Sequence, residues 1–389
     1  MGSLEPISNA HGREIFYELA RRLHANVARN LPDQADAVLT LPATNYLDAA
    51  QFEREIERIF LKVPLLVALD CDIPNAGDFL SYAIVGRPLL IVRGDDGVAR
   101  TFLNVCRHRG AALTTAPCGN ARAFVCPYHS WTYDRQGALK GVPDEAAFGA
   151  HGVEGLLPLP TDTVAGAIFA SLDPAAHFTA ADWLGETLVR SLEALRLKEM
   201  HAYRRTSTLA SPNWKLAADG YLDGYHIGFL HRNTIGTKGI NNRNTYDLLG
   251  PHVRIGFANK GINQVDELPE DQWNLGDVMS LVHYIFPNVS ISGGHKDTIQ
   301  LSRLFPGPGV KESTTVQHQY FYEPVEGEMA KVAEAKRITY EQVVRDEDCS
   351  TIFTINEALP AMTQVPFLFG RNEPGNQSLH RTIAAMTAG

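Results

Sequence analysis

The chain has 389 residues, of which 44% are hydrophobic and 20% are charged, and its formal net charge is -9. The composition is typical of a globular protein, and the length exceeds what one hydrophobic core usually fills, so we expect two domains. The acidic balance argues against nucleic acid or an anionic membrane as the main partner, and no stretch of 18 apolar residues predicts a membrane span.

Helical periodicity opens the chain. Apolar residues three and four apart predict a helix over residues 12–28, which Ser8-Asn9 would start, and a second short helix over residues 51–60. The first residues contain no basic segment followed by an apolar one, so we do not expect a secretory signal.

Short branched runs and turns dominate residues 79–168. Residues 87–93 and 98–106 predict two strands, and the Asp-Asp-Gly sequence between them predicts a tight turn. This pattern predicts a small all-β domain, with bounds that we set at residues 46–165.

The rest of the chain mixes helices and strands. Helical spacing returns after residue 174 in three segments, and strand-like runs fill residues 281–322. Segregated helices and antiparallel strands predict an α+β fold, assembled from residues 1–45 and 166–389 as an antiparallel sheet flanked by helices. The helical segments are residues 183–197, 216–230 and 326–356.

Two pairs of cysteine and histidine lie in the predicted β domain: Cys106 with His108, and Cys126 with His129. Two thiolates and two imidazoles are the ligand set of a Rieske [2Fe-2S] cluster. Such residues also form structural zinc sites, but zinc motifs usually pair like residues, as in C-x-x-C. Aromatic and hydroxyl side chains beside the pairs could tune a cluster; these are Tyr128, Ser130, Trp131 and Tyr133.

A second constellation lies in the predicted helix at residues 216–230. Asp219, Asp223 and His226 are spaced to share one helix face. His231 is five residues beyond His226, so both could reach one metal only where the helix loosens, which Gly228 would permit. Two histidines and one carboxylate form the facial triad of non-heme iron oxygenases. The alternative is that the carboxylates face solvent and the histidines fill gaps in the core.

The motif C-R-H-R-G at 106–110 and the motif C-P-Y-H-S-W-T-Y at 126–133 resemble the large (alpha) subunit of Rieske non-heme iron oxygenases, the ring-hydroxylating family. The resemblance covers most of the chain. It implies that Cys106, His108, Cys126 and His129 bind a [2Fe-2S] cluster in an inserted Rieske domain. It also implies a mononuclear Fe(II) in the larger domain.

The family motif D-x-x-H-x-x-x-x-H falls on Asp223, His226 and His231. The resemblance implies that the two histidines bind the mononuclear iron. It implies that Asp223 bridges this iron to the Rieske cluster of a neighbouring subunit.

The third iron ligand of the family is an aspartate on a C-terminal helix. The register favours Asp348, and Asp346 and Glu347 remain alternatives. Asn356 stands where the family often has a glutamine, which is a departure from the pattern.

The resemblance implies a terminal oxygenase that uses O2 and electrons from NAD(P)H, delivered by a separate reductase and sometimes a ferredoxin. No G-x-G-x-x-G motif follows a strand, so the electron donor must be another protein. Three outcomes are open: dioxygenation, monooxygenation and oxidative dealkylation. A Rieske electron-transfer protein without its own catalysis is the alternative of another class.

The assembly and location follow from the same features. A bridging Asp223 implies a head-to-tail ring, for which the family suggests a homotrimer, with or without a small β subunit. Five cysteines, of which three are scattered, suit a reducing compartment, so we expect a cytoplasmic protein.

Residues that flank the iron ligands and face them from strands are candidates for the substrate pocket. Their mostly apolar character predicts an apolar substrate, aromatic or alicyclic, with a polar group read by His283 or Asn288. Core packing is the alternative role for each. The candidates are Leu222, Ile227, His283, Asn288 and Phe353.

Overall fold

The computed structural model describes residues 10–293 and 298–388, with side chains from residue 14 onward. The predicted start signal Ser8-Asn9 lies outside the described residues. The chain divides into two units: Met1–Ile59 with Leu184–Gly389, and Phe60–Trp183. The smaller unit is therefore inserted into the larger one, as predicted from the sequence.

Within the described residues there are ten α-helices and two π-helical segments. The π-helical segments are Ile56–Phe60 and Val344–Cys349. The helices are α1 (Ala10–Ala28), α2 (Ala49–Glu55), α3 (Ala180–Leu184), α4 (Glu186–Ala194), α5 (Trp214–Leu222), α6 (Ile227–Leu230), α7 (Leu275–Val278), α8 (Gly327–Val343), α9 (Ser350–Ala358) and α10 (Pro374–Thr387).

The strands of the same residues number twenty-one. The first twelve are β1 (Leu39–Pro42), β2 (Leu65–Leu69), β3 (Asp78–Ile84), β4 (Arg87–Arg93), β5 (Ala99–Leu103), β6 (Cys118–Asn120), β7 (Phe124–Val125), β8 (Thr132–Tyr133), β9 (Leu139–Gly141), β10 (Pro158–Leu159), β11 (Thr161–Val164) and β12 (Ala167–Ala170). The others are β13 (His201–Ala202), β14 (Ser207–Ser211), β15 (Gly239–Leu249), β16 (His252–Asn259), β17 (Met279–Ile285), β18 (Val289–Gly293), β19 (Thr298–Pro306), β20 (Ser313–Phe321) and β21 (Pro366–Phe369).

The smaller unit is built on antiparallel strands. One sheet has the order β10-β5-β4-β3-β6, a second has β11-β12-β2, and a third has β7-β8-β9. Cys106 and Cys126 are buried in its hydrophobic core with Phe102, Phe124 and Trp131. Both predicted cysteine ligands are therefore held by packed strands.

An antiparallel sheet is the centre of the larger unit, in the order β13-β20-β19-β18-β17-β16-β15, with β14 also paired to β20. One face lies against α1 and α4, where Ser191 Oγ is 2.7 Å from His283 Nε2. The other face lies against α5, where Gln317 Nε2 donates to Tyr221 OH at 3.3 Å. The predicted fold class, α+β with an inserted all-β domain, is confirmed.

The bounds of the insertion differ from the predicted residues 46–165. Residues 46–59 belong to the larger unit, because Tyr46 OH donates to Asp219 Oδ2 at 2.6 Å and Lys215 forms a buried ion pair with Glu55. Residues 166–183 belong to the smaller unit, in which β12 pairs with β2. Contacts with residues distant in the sequence therefore set both bounds of the inserted unit.

Among the described residues, no helix is both long enough and apolar enough to cross a membrane.

Candidate functional site

Two loops of matching geometry carry the Cys and His pairs of the smaller unit. The N–H of Gly110 donates to Cys106 O at 2.9 Å, and the N–H of Ser130 donates to Cys126 O at 2.9 Å. Gly110 (φ 77°) and Ser130 (φ 56°) both adopt left-handed backbone conformations, which turn each loop back toward its strand. Each loop thus presents one thiol and one imidazole.

The imidazoles of these loops have free donor atoms. Nδ1 of His108 and Nδ1 of His129 are buried and have no hydrogen-bond partner within the protein. The rings lie 4.6 Å apart between centroids, and His108 stacks on Trp131. Burial and the neighbouring His129 and Arg109 lower the pKa of His108, which favours the neutral form that binds metals. Unpartnered buried nitrogens of this kind fit a bound metal cluster.

The thiols are surrounded by hydrogen-bond donors. Tyr133 OH lies 3.4 Å from Cys106 Sγ and accepts from the N–H of Arg107 at 3.0 Å. Burial alone would raise the pKa of Cys126, but the backbone N–H groups of Tyr128 and His129 and the Cys106 thiol lower it overall. Donors directed at thiolate sulfur stabilise the charge that a [2Fe-2S] ligand carries.

The second constellation begins at helix α5. Asn213 caps this helix, because its side chain accepts from the N–H of Lys215 at 2.8 Å. The helix ends at Leu222, and Asp223 has an extended backbone (φ -85°, ψ 112°). The short helix α6 follows, with His226 and His231 immediately before and after it. The predicted loosening therefore occurs before His226.

Gly228 lies inside α6, where it packs against Asn241 of β15. Its N–H donates to Asn241 Oδ1 at 3.2 Å, and a Cβ at this position would lie 2.2 Å from Asn241 Cγ. The absence of a side chain lets α6 approach β15 closely.

Three donor atoms from distant parts of the larger unit meet beside α6. His226 Nε2 is 3.2 Å from His231 Nε2, and Asp348 Oδ1 is 3.1 Å from His231 Nε2 and 3.5 Å from His226 Nε2. Adjacent ligands of a metal with bonds of about 2.1 Å lie about 3 Å apart, so the three atoms fit one metal ion. Among the described residues they form the group suited to hold a metal.

Each histidine is held by a second carboxylate on its other nitrogen. His226 Nδ1 lies 3.1 Å from Asp223 Oδ2, and His231 Nδ1 lies 2.5 Å from Glu347 Oε2. These contacts fix the proton on Nδ1 and turn the Nε2 lone pairs toward Asp348. The chemistry of the donor set is therefore that of a two-histidine, one-carboxylate iron site.

Hydrogen bonds outweigh burial in setting the charges of the cluster. Burial lowers the pKa of His226, but hydrogen bonds to Asp223 and Asp348 outweigh this effect and raise it to about 9. Burial raises the pKa of Asp348, and the hydrogen bonds from both histidines lower it overall. The carboxylate is thus held in the ionised form that binds metals.

The alternatives for the third ligand take other positions. Glu347 accepts from His231 and from Thr234 Oγ1, the latter at 2.8 Å. Asp346 forms an ion pair with Arg345 on the surface. Both neighbours of Asp348 are therefore engaged elsewhere.

Asp219 does not share a face with Asp223 and His226, because the helix ends between them. It instead contacts Tyr46 and His380, at 2.6 Å and 2.8 Å, in the interior of the larger unit. The prediction that Asp219, Asp223 and His226 share one helix face is therefore wrong.

Two pocket candidates have hydrogen-bond partners within the protein. His283 lies on the sheet face that α4 covers and bonds to Ser191, whereas its neighbour Tyr284 lies on the α5 face. Asn288 uses its amide to donate to Leu304 O at 3.1 Å. His283 thus lies on the opposite face of the sheet from α5, and one N–H of the Asn288 amide is used within the protein.

The other pocket candidates lie near the metal ligands in the chain. Leu222 is fully buried at the end of α5, Ile227 is half-buried at the start of α6, and Phe353 is 39% exposed on α9. The sequence did not single out Tyr221, and it offered Glu347 as an alternative iron ligand and not as the partner of His231 Nδ1. The acidic run 346–348 signalled carboxylates but not which histidine each would contact.

Residues 195–389, about half of the chain, match the family model of the ring hydroxylating alpha subunit (catalytic domain), and residues 63–161 match that of the Rieske [2Fe-2S] domain. The chain belongs to the ring hydroxylating alpha subunit family. This alpha subunit has both parts that its motifs predicted, so the predicted cofactors, a Rieske [2Fe-2S] cluster and a mononuclear iron, are confirmed.

Curated relatives of this ring hydroxylating alpha subunit act on different substrates. A glycine betaine monooxygenase oxygenase subunit from Pseudomonas aeruginosa (strain UCBPP-PA14) is 34% identical over 215 residues, 55% of this chain and 49% of that protein. A biphenyl 2,3-dioxygenase subunit alpha from Rhodococcus jostii (strain RHA1) is 38% identical over 196 residues, 47% of this chain and 41% of that protein. The matches thus span about half the length of these relatives.

Solved structures share the fold of this alpha subunit. A quaternary ammonium Rieske monooxygenase in complex with an inhibitor gives a TM-score of 0.78 at 21% identity, covering 90% of this chain and 96% of that chain. Naphthalene 1,2-dioxygenase from Rhodococcus sp. gives a TM-score of 0.73 at 20% identity, and the match covers 95% of this chain and 98% of that chain.

Proposed function

We propose that the protein is a terminal oxygenase component, which uses O2 and electrons from a partner reductase or ferredoxin to oxygenate a small organic substrate. The observation that carries this proposal is the convergence of His226 Nε2, His231 Nε2 and Asp348 Oδ1 within 4.8 Å. A Rieske domain in the same chain supplies the matching electron input. An electron-transfer protein without catalysis would have no use for this second donor set.

The proposed metal ligands are the residues whose donor atoms converge in the two sites. Cys106, Cys126, His108 and His129 would hold the cluster; His226, His231 and Asp348 would hold the mononuclear iron. When bound, the cluster supplies single-electron transfer and the mononuclear iron supplies O2 activation beside the substrate.

The protein's own carboxylates prepare the iron site. Asp223 and Glu347 accept the Nδ1 protons of His226 and His231, so both rings are held with Nε2 directed toward Asp348. Both carboxylates are partly buried, which strengthens these charge-assisted bonds. The iron position is therefore pre-organised before substrate binds.

Asp223 also has a proposed role between subunits. Its Oδ1 accepts from the N–H of Tyr225 at 2.6 Å while its Oδ2 contacts His226. Inter-subunit electron transfer has been described for a quaternary ammonium Rieske monooxygenase of similar fold. We propose that Asp223 links the iron to the cluster of a neighbouring subunit, in a homotrimer closed head to tail.

The reaction outcome is proposed as hydroxylation of an aromatic or alicyclic substrate. A second candidate is oxidative dealkylation of a quaternary ammonium compound, which is favoured by the similarity to glycine betaine and carnitine monooxygenase oxygenase subunits. In that case hydroxylation of an N-methyl carbon gives a carbinol that breaks its C–N bond and releases formaldehyde. The same ligands serve both outcomes, and the pocket decides between them.

The test is a single turnover under 18O2. The protein is loaded with iron and sulfide, its iron is counted, and the chemically reduced sample is mixed with 18O2 and either toluene or glycine betaine. We expect about three irons per chain and 18O in a hydroxylated product of toluene. Formaldehyde from glycine betaine would instead support dealkylation.

The matched control is His226→Ala, which should retain two irons per chain and yield no oxygenated product. Wild-type protein that binds two irons and oxidises neither compound, while passing electrons to an external acceptor, would contradict the oxygenase proposal and support an electron carrier.

A further inference from the structure

Strand β20 buries its polar residues. Its inward positions are Ser313, Thr315, Gln317 and Gln319, each at most 5% exposed, whereas the intervening Thr314, Val316 and His318 are half-buried. An amphipathic strand normally turns its apolar side inward. The inverted pattern indicates that this face lies against something other than an ordinary hydrophobic core.

The polar face continues across two further strands. The register places Gln300 opposite Gln319, Ser302 opposite Gln317, and Ser290 opposite Ser302. Paired residues of antiparallel strands point to the same side of a sheet. Amides and hydroxyls therefore form a continuous surface on β18, β19 and β20.

Tyr221 connects this surface to the proposed iron site. Its hydroxyl is hydrogen-bonded to Ser302 and Gln317, the latter at 3.3 Å. Burial raises the pKa of Tyr221 to about 12, and the nearby charge of Asp348 contributes to this shift. Tyr221 thus contacts the sheet from helix α5, which ends one residue before Asp223.

Some of the polar side chains on this face have a hydrogen-bond partner within the protein, and others have none. Thr315 Oγ1 pairs with Ser211 Oγ at 3.5 Å, and Gln317 pairs with Tyr221. In the next row, Gln319 Nε2, Gln319 Oε1 and Gln300 Oε1 are buried without a partner. Ser290 Oγ on β18, in the row of Ser302 and Gln317, is also buried without a partner. Inward-facing rows are about 7 Å apart, so the unsatisfied row begins one row from the Tyr221 contact.

Buried amides without partners are rare, and a ligand is one cause of their retention. The side chains that the described strands place on this face include no Lys, Arg, Asp or Glu. A carboxylate or a quaternary ammonium group would be left without a counter-charge there, whereas a carboxamide could donate and accept at once.

We propose that Gln300, Gln319 and Ser290 are specificity-determining residues, which bind an uncharged hydrogen-bonding group of the substrate, such as a carboxamide. This inference rests on the proposed oxygenase function and replaces His283 and Asn288 as the groups that read substrate polarity. The substrate would have an apolar body at the iron and an amide or similar group on the sheet.

The test is binding to the metal-loaded protein without O2, by calorimetry with four probes that share one benzene ring: benzamide, toluene, benzoate and benzyltrimethylammonium. We expect benzamide to bind at least tenfold more tightly than the other three. Gln319→Met, which keeps the shape but loses the amide, should reduce the benzamide affinity about tenfold and leave toluene unchanged. Gln272→Met, the same change at an exposed position, is the matched control.

A thermal midpoint separates a binding role from a structural one. An amide that has no partner in the free protein contributes no hydrogen bond to folding, so Gln319→Met should keep or raise the midpoint. Gln300→Met provides the same test if the first variant does not fold. A lowered midpoint, with an unchanged preference for benzamide over toluene, would assign these residues to the fold or to buried water and overturn the proposal.

Different results would contradict the substrate-binding inference and the proposed oxygenase function. Toluene, benzoate or benzyltrimethylammonium bound as tightly as benzamide would overturn the inference even if one of them is oxygenated, and the same holds if no probe binds. Loss of the mononuclear iron or of any 18O incorporation would instead contradict the proposed function.

Discussion

Glu347 Oε2 lies 2.5 Å from His231 Nδ1, and the same oxygen accepts from Thr234 Oγ1 at 2.8 Å. The residue next in sequence, Asp348, contacts the opposite nitrogen of the same ring at 3.1 Å. Two consecutive carboxylates thus hold one imidazole from both sides. One would bind the metal, and the other would orient the ligand.

Glu347→Gln should weaken mononuclear iron binding by roughly tenfold to a hundredfold, because the neutral amide no longer stabilises the Nδ1 proton of His231. The affinity is measured by competition with a chelator in protein whose cluster is intact. Asp346→Asn, a change to the adjacent exposed carboxylate, should leave the affinity as it is. Equal affinities in both variants would remove Glu347 from the site.

His231→Ala should remove the mononuclear iron and preserve the cluster, since the two donor sets share no residue. The visible spectrum and the EPR signal of the reduced cluster should be those of the wild type, and about one iron per chain should be lost. Loss of both iron signals would mean that the substitution unfolds the protein.

Asp223→Ala should retain both metal centres at saturating iron but nearly abolish product formation, because the proposed link between subunits is broken. The measurement is the single-turnover rate of protein with a reduced cluster, followed by oxidation of the cluster at a visible wavelength. A rate equal to that of the wild type would refute the bridging role.

Glu373→Gln should stabilise the protein in a pH-dependent way. Burial raises the pKa of Glu373 to about 7 from a usual 4.5, and Asp223 and Asp219 add to the shift. The folded state therefore disfavours the ionised form. The gain in the free energy of unfolding from Glu373→Gln should be absent below pH 4.5, grow between pH 4.5 and 7, and stay constant above pH 7. Thermal midpoints of the two proteins across this range are the measurement; a difference independent of pH would contradict the assignment.

Lys215→Met should lower the free energy of unfolding by about 3–5 kcal/mol, because it leaves the carboxylate of Glu55 buried and unpaired. The two side chains are 1% and 0% exposed, and Glu55 Oε2 also accepts from Trp214 Nε1 at 2.9 Å. The double variant Lys215→Met with Glu55→Gln removes the charge and keeps an acceptor for the tryptophan, so it should recover most of the loss. Denaturant unfolding of both variants tests this, and a double variant as unstable as the single one would contradict it.

The sequence was most informative where the structure is local. Cys106 and Cys126 lie in loops that are closed by backbone hydrogen bonds between residues four apart in the sequence. Spacing alone therefore brings each thiol near its histidine. Asp348 is 117 residues from His231, and no local rule selects it from the run 346–348. The family register supplied that prediction.

Periodicity misled where tertiary contacts override it. The spacing of residues 216–230 predicts one helix, but Asp223 is extended and accepts the N–H of Tyr225 instead of continuing the turn. In β20, alternation of apolar and polar residues would place Val316 inside, whereas the fold buries Gln317 and Gln319. An inverted strand of this kind can be recognised only once the helix that covers it is known.

The π-helical segment Val344–Cys349 contains both Glu347 and Asp348. Such segments correspond to one residue inserted into an α-helix. Loss of a single codon here would restore regular winding and remove the widened turn from which Glu347 and Asp348 reach opposite nitrogens of His231. The stretch should therefore tolerate exchange of its exposed side chains far better than any change in its length.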